Sequence, residues 1–444
     1  LLPSGYLMRK EIDSLQLLWS KTSASKQLYE NTNKMVIGAV AQLVSFARAD
    51  GFTRLNNMPR YTPKTGDAFW QPTPPVFMSA IEPHWNKLRP FFMDSAQQFV
   101  PARPVVYSKS KNSSYFKLLK EVYELGNNQT KEQALIASFW DCNPFAVQQI
   151  GHVEFGLKKI SPGGHWIGIT GIACLKSGLP LFQTAMVHAL VAITLADSFI
   201  ACWDEKYRSN RIRPETVIHR LIDPRWKPLL QTPPFPEYLS GHSVCSNAAA
   251  TMLTTIFGDG FSFLDHTEVE FGLPTRQFSS FNTAAEEAAI SRLYGGIHFR
   301  DAIELGKWQG RKVGDLAVKK FQQQLDWLCK NFEPLSFQVY NDCIKNSKAF
   351  PNKTFMLTFD DGLKDHYSHV FTELRQRKLW GFFFVNSKVY LEKEPLEVHM
   401  THFILDKIGS ENLLEFTDNE ISQIFNKELE SVIIFIELFN TVIF

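Results

Sequence analysis

Apolar residues recur every three or four positions through most of the first 330 residues, which is the spacing of amphipathic helices. Residues 51–112 interrupt this pattern with many prolines and aromatic residues, and they predict a long loop layer with short helices. The pattern predicts helices over about 10–50, 113–127, 129–140, 144–159, 165–177, 182–206, 241–257, from Thr283 to the glycines at 295–296, and 298–330. A turn at 161–164 and a mostly irregular stretch over 213–240 separate some of them. The first 330 residues are therefore predicted to be mainly α-helical.

The pattern changes after Phe332. Residues 354–362 read as a strand ending in two acids and a glycine, followed by a helix over 366–378 and a strand over 381–386. This β-α-β order differs from everything before it. We therefore predict a helical domain over 1–335 with its motif core at 183–330, a linker over 336–348, and an incomplete α/β fragment over 349–444.

The composition is ordinary for a globular protein and gives no strong global charge. The chain has 444 residues, 44% hydrophobic and 21% charged, with a net charge of +2, so we expect no nucleic-acid partner. Its six scattered cysteines form no CxxC pair, which indicates neither a zinc or thioredoxin motif nor a disulfide framework. The apolar stretch 185–203 contains His188 and Asp197, so it predicts a buried helix rather than a membrane span.

Two segments carry groups that favour an oxyanion. Lys206 ends a predicted helix, whereas Pro214 biases Arg213 towards extended backbone, so two long cationic side chains can approach one anion from different directions. Ser240 and Gly241 begin a helix that is rich in small residues, and the free N–H groups of a helix N-terminus favour an anion. Taken singly, the first segment is more often a solvated basic surface, and the second is more often an ordinary helix cap with an incidental histidine.

A third segment places Arg292 and His298 on either side of Gly295-Gly296. Two glycines within helical sequence lower the stability of the helix by about 2 kcal/mol relative to alanine. Their presence therefore indicates close packing or a sharp bend at this point. Alone, Arg292 is explained by an ion pair and His298 by a structural hydrogen bond. His242, directly after the Ser-Gly pair, is the second histidine near these cations.

Together, the order Lys-x6-Arg-Pro, Ser-Gly-His and Ser-Arg-x5-His resembles the signature of the type 2 phosphatidic acid phosphatase/vanadium haloperoxidase superfamily. Residues from about 50 to 330 are similar to its soluble, haloperoxidase-like bacterial branch. Four further segments carry this resemblance: Gln71–Pro75, Phe139–Asp141, Ile160–Trp166 and Gln231–Tyr238. The resemblance implies a mainly α fold, the helical bundle of this superfamily.

The resemblance implies an enzyme with one of two chemistries on small-molecule substrates. As a haloperoxidase, the protein would bind vanadate at His298, and His242 would help to deprotonate the peroxide that oxidises a halide. As an acid phosphatase without a cofactor, it would form a phospho-histidine at His298 while His242 protonates the leaving oxygen of a phosphate ester. In both, the anion's oxygens would be held by Lys206, Arg213, Ser240, Gly241 and Arg292.

The N-terminal helices and the lack of predicted spans favour the haloperoxidase. A catalytically inactive anion-binding protein is the third hypothesis. No metal other than vanadate is expected.

Three positions leave questions open. Leu239 stands where the superfamily usually has proline or threonine before the Ser-Gly-His motif. Many members carry an acid four residues after the second histidine, but here that position is Ala302 and the acid is Asp301, so the group that orients His298 is undecided. His165, directly after two glycines, either lines the pocket or lies at a surface turn.

The C-terminal fragment resembles the start of a polysaccharide deacetylase (NodB-like) domain. The resemblance is carried by the strand ending in Asp360 and Asp361, by His366 and by Trp380–Val385, and it implies Asp360 as a base and Asp361 as a metal ligand. Only about 100 residues follow the predicted boundary, whereas such a barrel needs roughly 200. We therefore predict a truncated fragment without activity.

The cellular location is an expectation from relatives alone. The chain starts at Leu1 and shows no signal segment. Because relatives of the haloperoxidase-like branch are often exported, we expect the cell envelope, the periplasm or secretion. The oligomeric state is left open.

Overall fold

The computed structural model describes residues 9–346 except 23–25, 56, 145, 151–152, 157–158 and 180, and further 348, 351, 353–355, 357–360 and 381–384. The chain divides into two compact units, Leu1–Arg60 with Lys87–Arg89, and Tyr61–Asn86 with Pro90–Phe444. The first unit contains helices α1 (Arg9–Thr22), α2 (Lys26–Arg48) and the short α3 (Phe52–Leu55). These helices match the periodicity predicted over 10–50.

The second unit contains the remaining elements. Its helices are α4 (Ser114–Asn127), α5 (Lys131–Phe139), α6 (Pro162–Lys176), α7 (Leu181–Ser209), α8 (Pro214–Leu221), α9 (Gly241–Phe257), α10 (Phe281–Tyr294), α11 (Arg300–Asn331) and α12 (Phe337–Lys345). Its strands pair in twos: β1 (Val147–Ile150) with β2 (Val153–Gly156), and β3 (Phe263–Asp265) with β4 (Arg276–Phe278), both antiparallel. The mainly α fold class is therefore confirmed.

The predicted helix over 144–159 is wrong, because this segment forms the β1–β2 hairpin. Val147, Ile150 and Val153 are β-branched, and Phe155 is aromatic, so the local preference is for strands. Gly151 between the two strands is also a typical hairpin residue. The helix was predicted from the spacing of apolar residues alone, which does not reflect these strand preferences.

Three helix starts also differ from the prediction. The expected turn at 161–164 is the first turn of α6, because Ser161 caps it and Pro162 occupies its first position, where a missing N–H costs nothing. Helix α10 begins at Phe281, since Ser280 forms the capping box with Thr283. Arg213 is extended, as predicted, but α8 follows it directly within a stretch predicted to be mostly irregular.

Helix α9 lies at the centre of the bundle and packs against α6, α7, α10 and α11. Its inward face consists mainly of small residues, and Ala248, Ala249 and Ala250 are fully buried. Ala284, Ala285 and Ala288 of α10 belong to the same hydrophobic core. Small side chains let these helix axes approach closely, which fixes the position of the α9 N-terminus.

Glycines of α11 bring this helix closest to α9. A Cβ atom added at Gly306 would lie 2.8 Å from Ser243 Cβ, and one at Gly310 would lie 2.2 Å from the Val244 carbonyl oxygen. Both distances are far below ordinary van der Waals contact. The backbone of α11 therefore rests directly on the first two turns of α9.

The Gly295-Gly296 pair ends α10 and turns the chain towards α11. This is the sharp bend that two glycines within helical sequence predicted. Gly296 has a φ of 76°, a left-handed conformation that glycine adopts without strain. A Cβ atom at Gly295 would lie 2.6 Å from Leu230 Cδ1, so close packing also requires glycine there. This turn holds His298 between the two helices.

Four short strands lie at and after the predicted domain boundary. β5 (Glu333–Pro334) pairs in parallel with β6 (Thr354–Phe355), and β7 (Leu357–Asp360) pairs in parallel with β8 (Gly381–Phe384). The strands predicted before Asp360 and at 381–386 are thus present. Asp361 and His366 lie outside the described residues, and so does the Asp360 side chain, so the roles implied for them stay predictions.

Among the described residues, two helical stretches are long and apolar enough, by length and composition, to cross a membrane. They are Tyr29–Leu55 in the first unit and Gln183–Ser209 in the second. More than half of the most apolar part of the second stretch is buried inside the protein, as in the core helix of a bundle. This agrees with the buried helix predicted over 185–203.

Candidate anion site

The three predicted segments converge where α7, α9, α10 and α11 meet. Lys206 lies in the last turn of α7, Arg292 lies in the last turn of α10, and His298 lies in the turn before α11. Ser240 is the N-cap of α9 and Arg213 the N-cap of α8. All five are buried, so any anion they hold is removed from bulk water.

Lys206 points its ammonium group at the loop that leads into α9. Its Nζ atom donates to the carbonyl oxygens of Pro236 at 3.1 Å and Glu237 at 3.2 Å, and also to that of Leu239. Burial lowers the pKa of Lys206 to about 7. A bound anion would oppose that shift by favouring the charged form.

Leu239 is itself fully buried. Its side chain belongs to a small hydrophobic cluster with Trp203 and Val244, and its carbonyl oxygen is one of the Lys206 acceptors. Leucine at this position therefore fits the fold without removing a polar partner from the site.

Arg213 contacts His298 directly. Its Nε donates to the Phe235 carbonyl oxygen at 2.9 Å, and its Nη1 donates to the Ile297 carbonyl oxygen at 2.9 Å and lies 3.2 Å from His298 Nε2. Burial lowers the pKa of Arg213 to about 9. In the described part of the chain, no carboxylate lies within 4.0 Å of Lys206 or Arg213, so backbone carbonyls carry most of the compensation for these two charges.

Glu237 is the group that orients His298, and the sequence analysis did not identify it. Its Oε1 atom accepts from His298 Nδ1 at 2.9 Å and from the Phe299 N–H at 2.9 Å. Because Nδ1 faces a carboxylate acceptor, the proton sits on Nδ1 and Nε2 carries the lone pair, which faces Arg213 Nη1 in this structure and can bind an electrophilic centre. Burial, followed by the positive charge of Arg213, lowers the pKa of His298 well below its usual value, which keeps that lone pair unprotonated.

Arg211 and Asp301 hold Glu237 in place. Arg211 donates from Nε to Glu237 Oε2 at 2.6 Å and binds Asp301 with Nη1 at 2.6 Å and Nη2 at 2.7 Å. Asp301 therefore acts on His298 only through Arg211 and Glu237. The signal in the sequence was an acid within the Pro-rich loop directly before the Ser-Gly-His motif.

The N-terminus of α9 supplies backbone donors. The Ser243 N–H donates to Ser240 Oγ at 3.3 Å and the Val244 N–H to the Ser240 carbonyl oxygen at 3.1 Å. The residues four positions before Gly241 and His242 lie outside the helix, so the N–H groups of these two residues have no intrahelical acceptor and can face a ligand. His242 follows in the first turn, and burial, then the charges of Arg292 and His298, lower its pKa well below the usual value.

Arg292 reaches the site from the opposite side. Its Nη1 donates to the Trp140 carbonyl oxygen at 2.7 Å, and its Nη2 lies 3.9 Å from Asp141 Oδ1. Burial lowers the pKa of Arg292. Trp140 and Asp141 belong to the Phe-Trp-Asp segment that carried part of the family resemblance, so this segment holds a cation of the site.

Several buried polar atoms of these residues have no partner among the described residues. They are Arg213 Nη2, Arg292 Nε, His242 Nε2 and Ser243 Oγ. Burying an unpaired polar group costs about 1–3 kcal/mol, so four such atoms on these residues favour a site built for a polar ligand. A tetrahedral oxyanion has such acceptors, and the cations match its charge.

His165 does not lie at a surface turn. It is fully buried in the first turn of α6, stacked on Trp140 with ring centroids 4.5 Å apart. Its ring nitrogens face Asp265 at 2.8 Å, Glu268 at 3.3 Å and the Cys142 sulfur at 3.4 Å. These contacts form a separate cluster, joined to the anion site through Trp140.

Comparison with known proteins identifies the fold and the family. Residues 186–326, which include every predicted anion-binding residue, match the family model described as the VCPO second helical-bundle domain. The chain is 48% identical to a bacterial vanadium-dependent iodoperoxidase, with a TM-score of 0.65 over 70% of this chain and 74% of that chain.

The chain belongs to the vanadium-dependent haloperoxidase family.

A holo-type bacterial vanadium-dependent chloroperoxidase is also similar, at 16% identity and a TM-score of 0.50 over 69% of this chain and 80% of that chain. This likeness shows the shared fold. No curated protein matches the chain. The expected superfamily and its haloperoxidase-like branch are thus confirmed, and the protein is an enzyme of a haloperoxidase family.

Proposed function

We propose that this haloperoxidase-family protein binds vanadate at His298 and oxidises a halide with hydrogen peroxide. The observation that carries the proposal is the unprotonated Nε2 of His298 beside Arg213, together with unpartnered buried nitrogen atoms of Arg213, Arg292 and His242. Vanadate, when bound, supplies the electrophilic centre at which peroxide is activated towards halide. The relation to an iodoperoxidase favours iodide as the halide.

The residues of the site would have separate roles in orienting His298 and in binding the oxygens of the anion. Glu237 holds the His298 proton on Nδ1, so that Nε2 faces the ligand's central atom. Lys206, Arg213, Arg292 and the free N–H groups of α9 would hold the oxygens and offset their charge, which strengthens in a water-excluded site.

His242 is the candidate for moving protons. Its Nε2 is buried without a partner, and its lowered pKa leaves it neutral and able to accept a proton from peroxide.

The same residues could stabilise phosphoryl transfer, so the experiment has two arms. Protein loaded with orthovanadate is assayed for peroxide-dependent halogenation of a phenol dye with iodide, bromide or chloride, and vanadate-free protein for hydrolysis of p-nitrophenyl phosphate. We expect halogenation with iodide that requires vanadate, and its loss in His298→Ala. Phosphate hydrolysis without any vanadate-dependent halogenation would establish the phosphatase instead.

A further inference from the structure

A second group of chemically reactive side chains lies next to the anion site. Cys142 follows α5, His165 lies in the first turn of α6, and Glu268 follows β3. All three are buried, at 1%, 0% and 5% exposure. None of them is among the residues proposed to hold vanadate, and the proposed function leaves them without a role.

The distances among their ligand atoms are those of one face of a metal tetrahedron. The Cys142 Sγ to His165 Nδ1 distance is 3.4 Å, His165 Nδ1 to Glu268 Oε1 is 3.3 Å, and Cys142 Sγ to Glu268 Oε1 is 4.0 Å. Zinc bonded to sulfur, nitrogen and oxygen at normal lengths would require about 3.6, 3.4 and 3.6 Å. Only the sulfur–carboxylate edge has to shorten, by a few tenths of an ångström.

Asp265 completes the arrangement around His165. Its Oδ2 atom lies 2.8 Å from His165 Nε2, and its Oδ1 atom is fixed by the N–H and hydroxyl groups of Thr267. A carboxylate on the second ring nitrogen places the proton there and turns the Nδ1 lone pair towards Cys142 and Glu268. Histidines that ligate metals are typically oriented in this way.

The acidic side chains of the cluster also favour a bound cation. Among the described residues, the only basic side chain within 4.0 Å of Glu268 or Asp265 is His165. One divalent ion would neutralise a thiolate and a carboxylate together, leaving His165 neutral.

We propose that Cys142, His165 and Glu268 bind one divalent, zinc-like metal ion, with Asp265 orienting the histidine. The fourth position is left for water. Binding would release the Cys142 proton, and any proton on Glu268, to solvent and form sulfur, nitrogen and oxygen bonds to the ion. The sequence analysis expected no metal besides vanadate, because these ligands are 23 and 126 residues from Cys142 and form no short motif.

The ion would support the neighbouring anion site. Cys142 is two residues beyond Trp140, whose carbonyl oxygen holds Arg292 and whose ring stacks on His165. The ion would therefore tie the ends of α5, α6 and β3 beneath one wall of the anion site. Its loss is expected to lower the melting temperature whether or not vanadate is bound.

The direct test is a metal measurement on the full chain. Chelator-treated protein is reloaded with zinc, desalted and analysed for zinc per chain, and a parallel sample is loaded with cobalt(II). We expect about one tightly bound zinc per chain and a thiolate-to-cobalt charge-transfer band in the near ultraviolet. Cobalt-loaded wild type without this band would overturn the proposal, even if every variant failed to fold.

Variants assign the ligands. Cys142→Ala should remove the charge-transfer band and the bound zinc, whereas Cys174→Ala, another buried free thiol, should retain both. Asp265→Asn should weaken zinc binding about 10–100-fold. Zinc retained at wild-type affinity in folded Cys142→Ala would refute the assignment. Because the readouts need neither vanadate nor peroxide, their failure is distinct from failure of the proposed haloperoxidase activity.

Discussion

Replacing Glu237 by glutamine tests how the site prepares His298. The glutamine oxygen can still accept from His298 Nδ1 and the Phe299 N–H, but its amide group would then face the Arg211 Nε–H, donor against donor. If the amide turns over instead, it donates to Nδ1 and moves the histidine proton to Nε2. Either arrangement breaks one of the contacts that define the site.

The structure sets the expected magnitudes. Breaking a buried ion pair costs about 3–5 kcal/mol, and the lower end applies here because Arg211 keeps both contacts to Asp301. For a chain of 444 residues the melting temperature should fall by roughly 3–5 °C. A wrong histidine tautomer costs on the order of 10⁴ in rate in a serine protease triad, so we expect a loss of about 10²–10⁴-fold in halogenation.

The assay separates this effect from general destabilisation. Turnover and vanadate affinity are measured well below the melting temperature and compared with Asp197→Asn. Asp197 is an equally buried acid that accepts three backbone N–H groups, from Phe91 at 2.7 Å, Phe92 at 2.8 Å and Met93 at 3.0 Å. Asp197→Asn should lose similar stability and keep its turnover within about twofold. Turnover and vanadate affinity of Glu237→Gln within twofold of wild type would refute the role given to Glu237.

Two further predictions concern charge and packing. In the ligand-free site the ammonium form of Lys206 is lost as pH rises through about 7. Oxyanion affinity, measured by titration calorimetry, should therefore fall more steeply between pH 7 and 9 in wild type than in Lys206→Met. Parallel pH profiles of the two proteins would contradict this. Gly310→Ala should lower the free energy of unfolding by at least about 1–3 kcal/mol in chemical denaturation, because its Cβ would meet the Val244 carbonyl oxygen. Gly38→Ala, whose Cβ would have nothing within 4 Å, should be neutral or stabilising. Equal stabilities of the two variants would refute the packing argument.

The anion site was predictable because its residues are few, charged and placed at helix ends. Lys206, Arg213 and Arg292 are buried cations that donate to backbone carbonyls, and helix boundaries place them close together in the bundle. Their roles towards vanadate remain part of the proposed function. These residues come together in the structure because local sequence and tertiary structure favour the same arrangement.

The rest depended on contacts that local patterns do not reveal. Glu237 acts on His298 from 61 residues away, and nothing in its own neighbourhood distinguishes it from a loop acid. From the two glycines before it, His165 was predicted to line the pocket or to lie at a surface turn. Ser161 and Pro162 instead start a helix that buries it. The hairpin at 147–156 was missed because apolar spacing alone cannot separate a short strand pair from a helix.

The central claim is that His298 and the surrounding donors bind one vanadate. Isothermal titration of orthovanadate into the full chain tests it directly, with His298→Ala as the partner variant and circular dichroism to confirm its fold. We predict one site per chain in wild type and binding weakened by at least about a hundredfold in the variant, because the bond to Nε2 is lost while the cations remain. Saturable binding of equal affinity in folded His298→Ala, or no binding in wild type, would contradict the account.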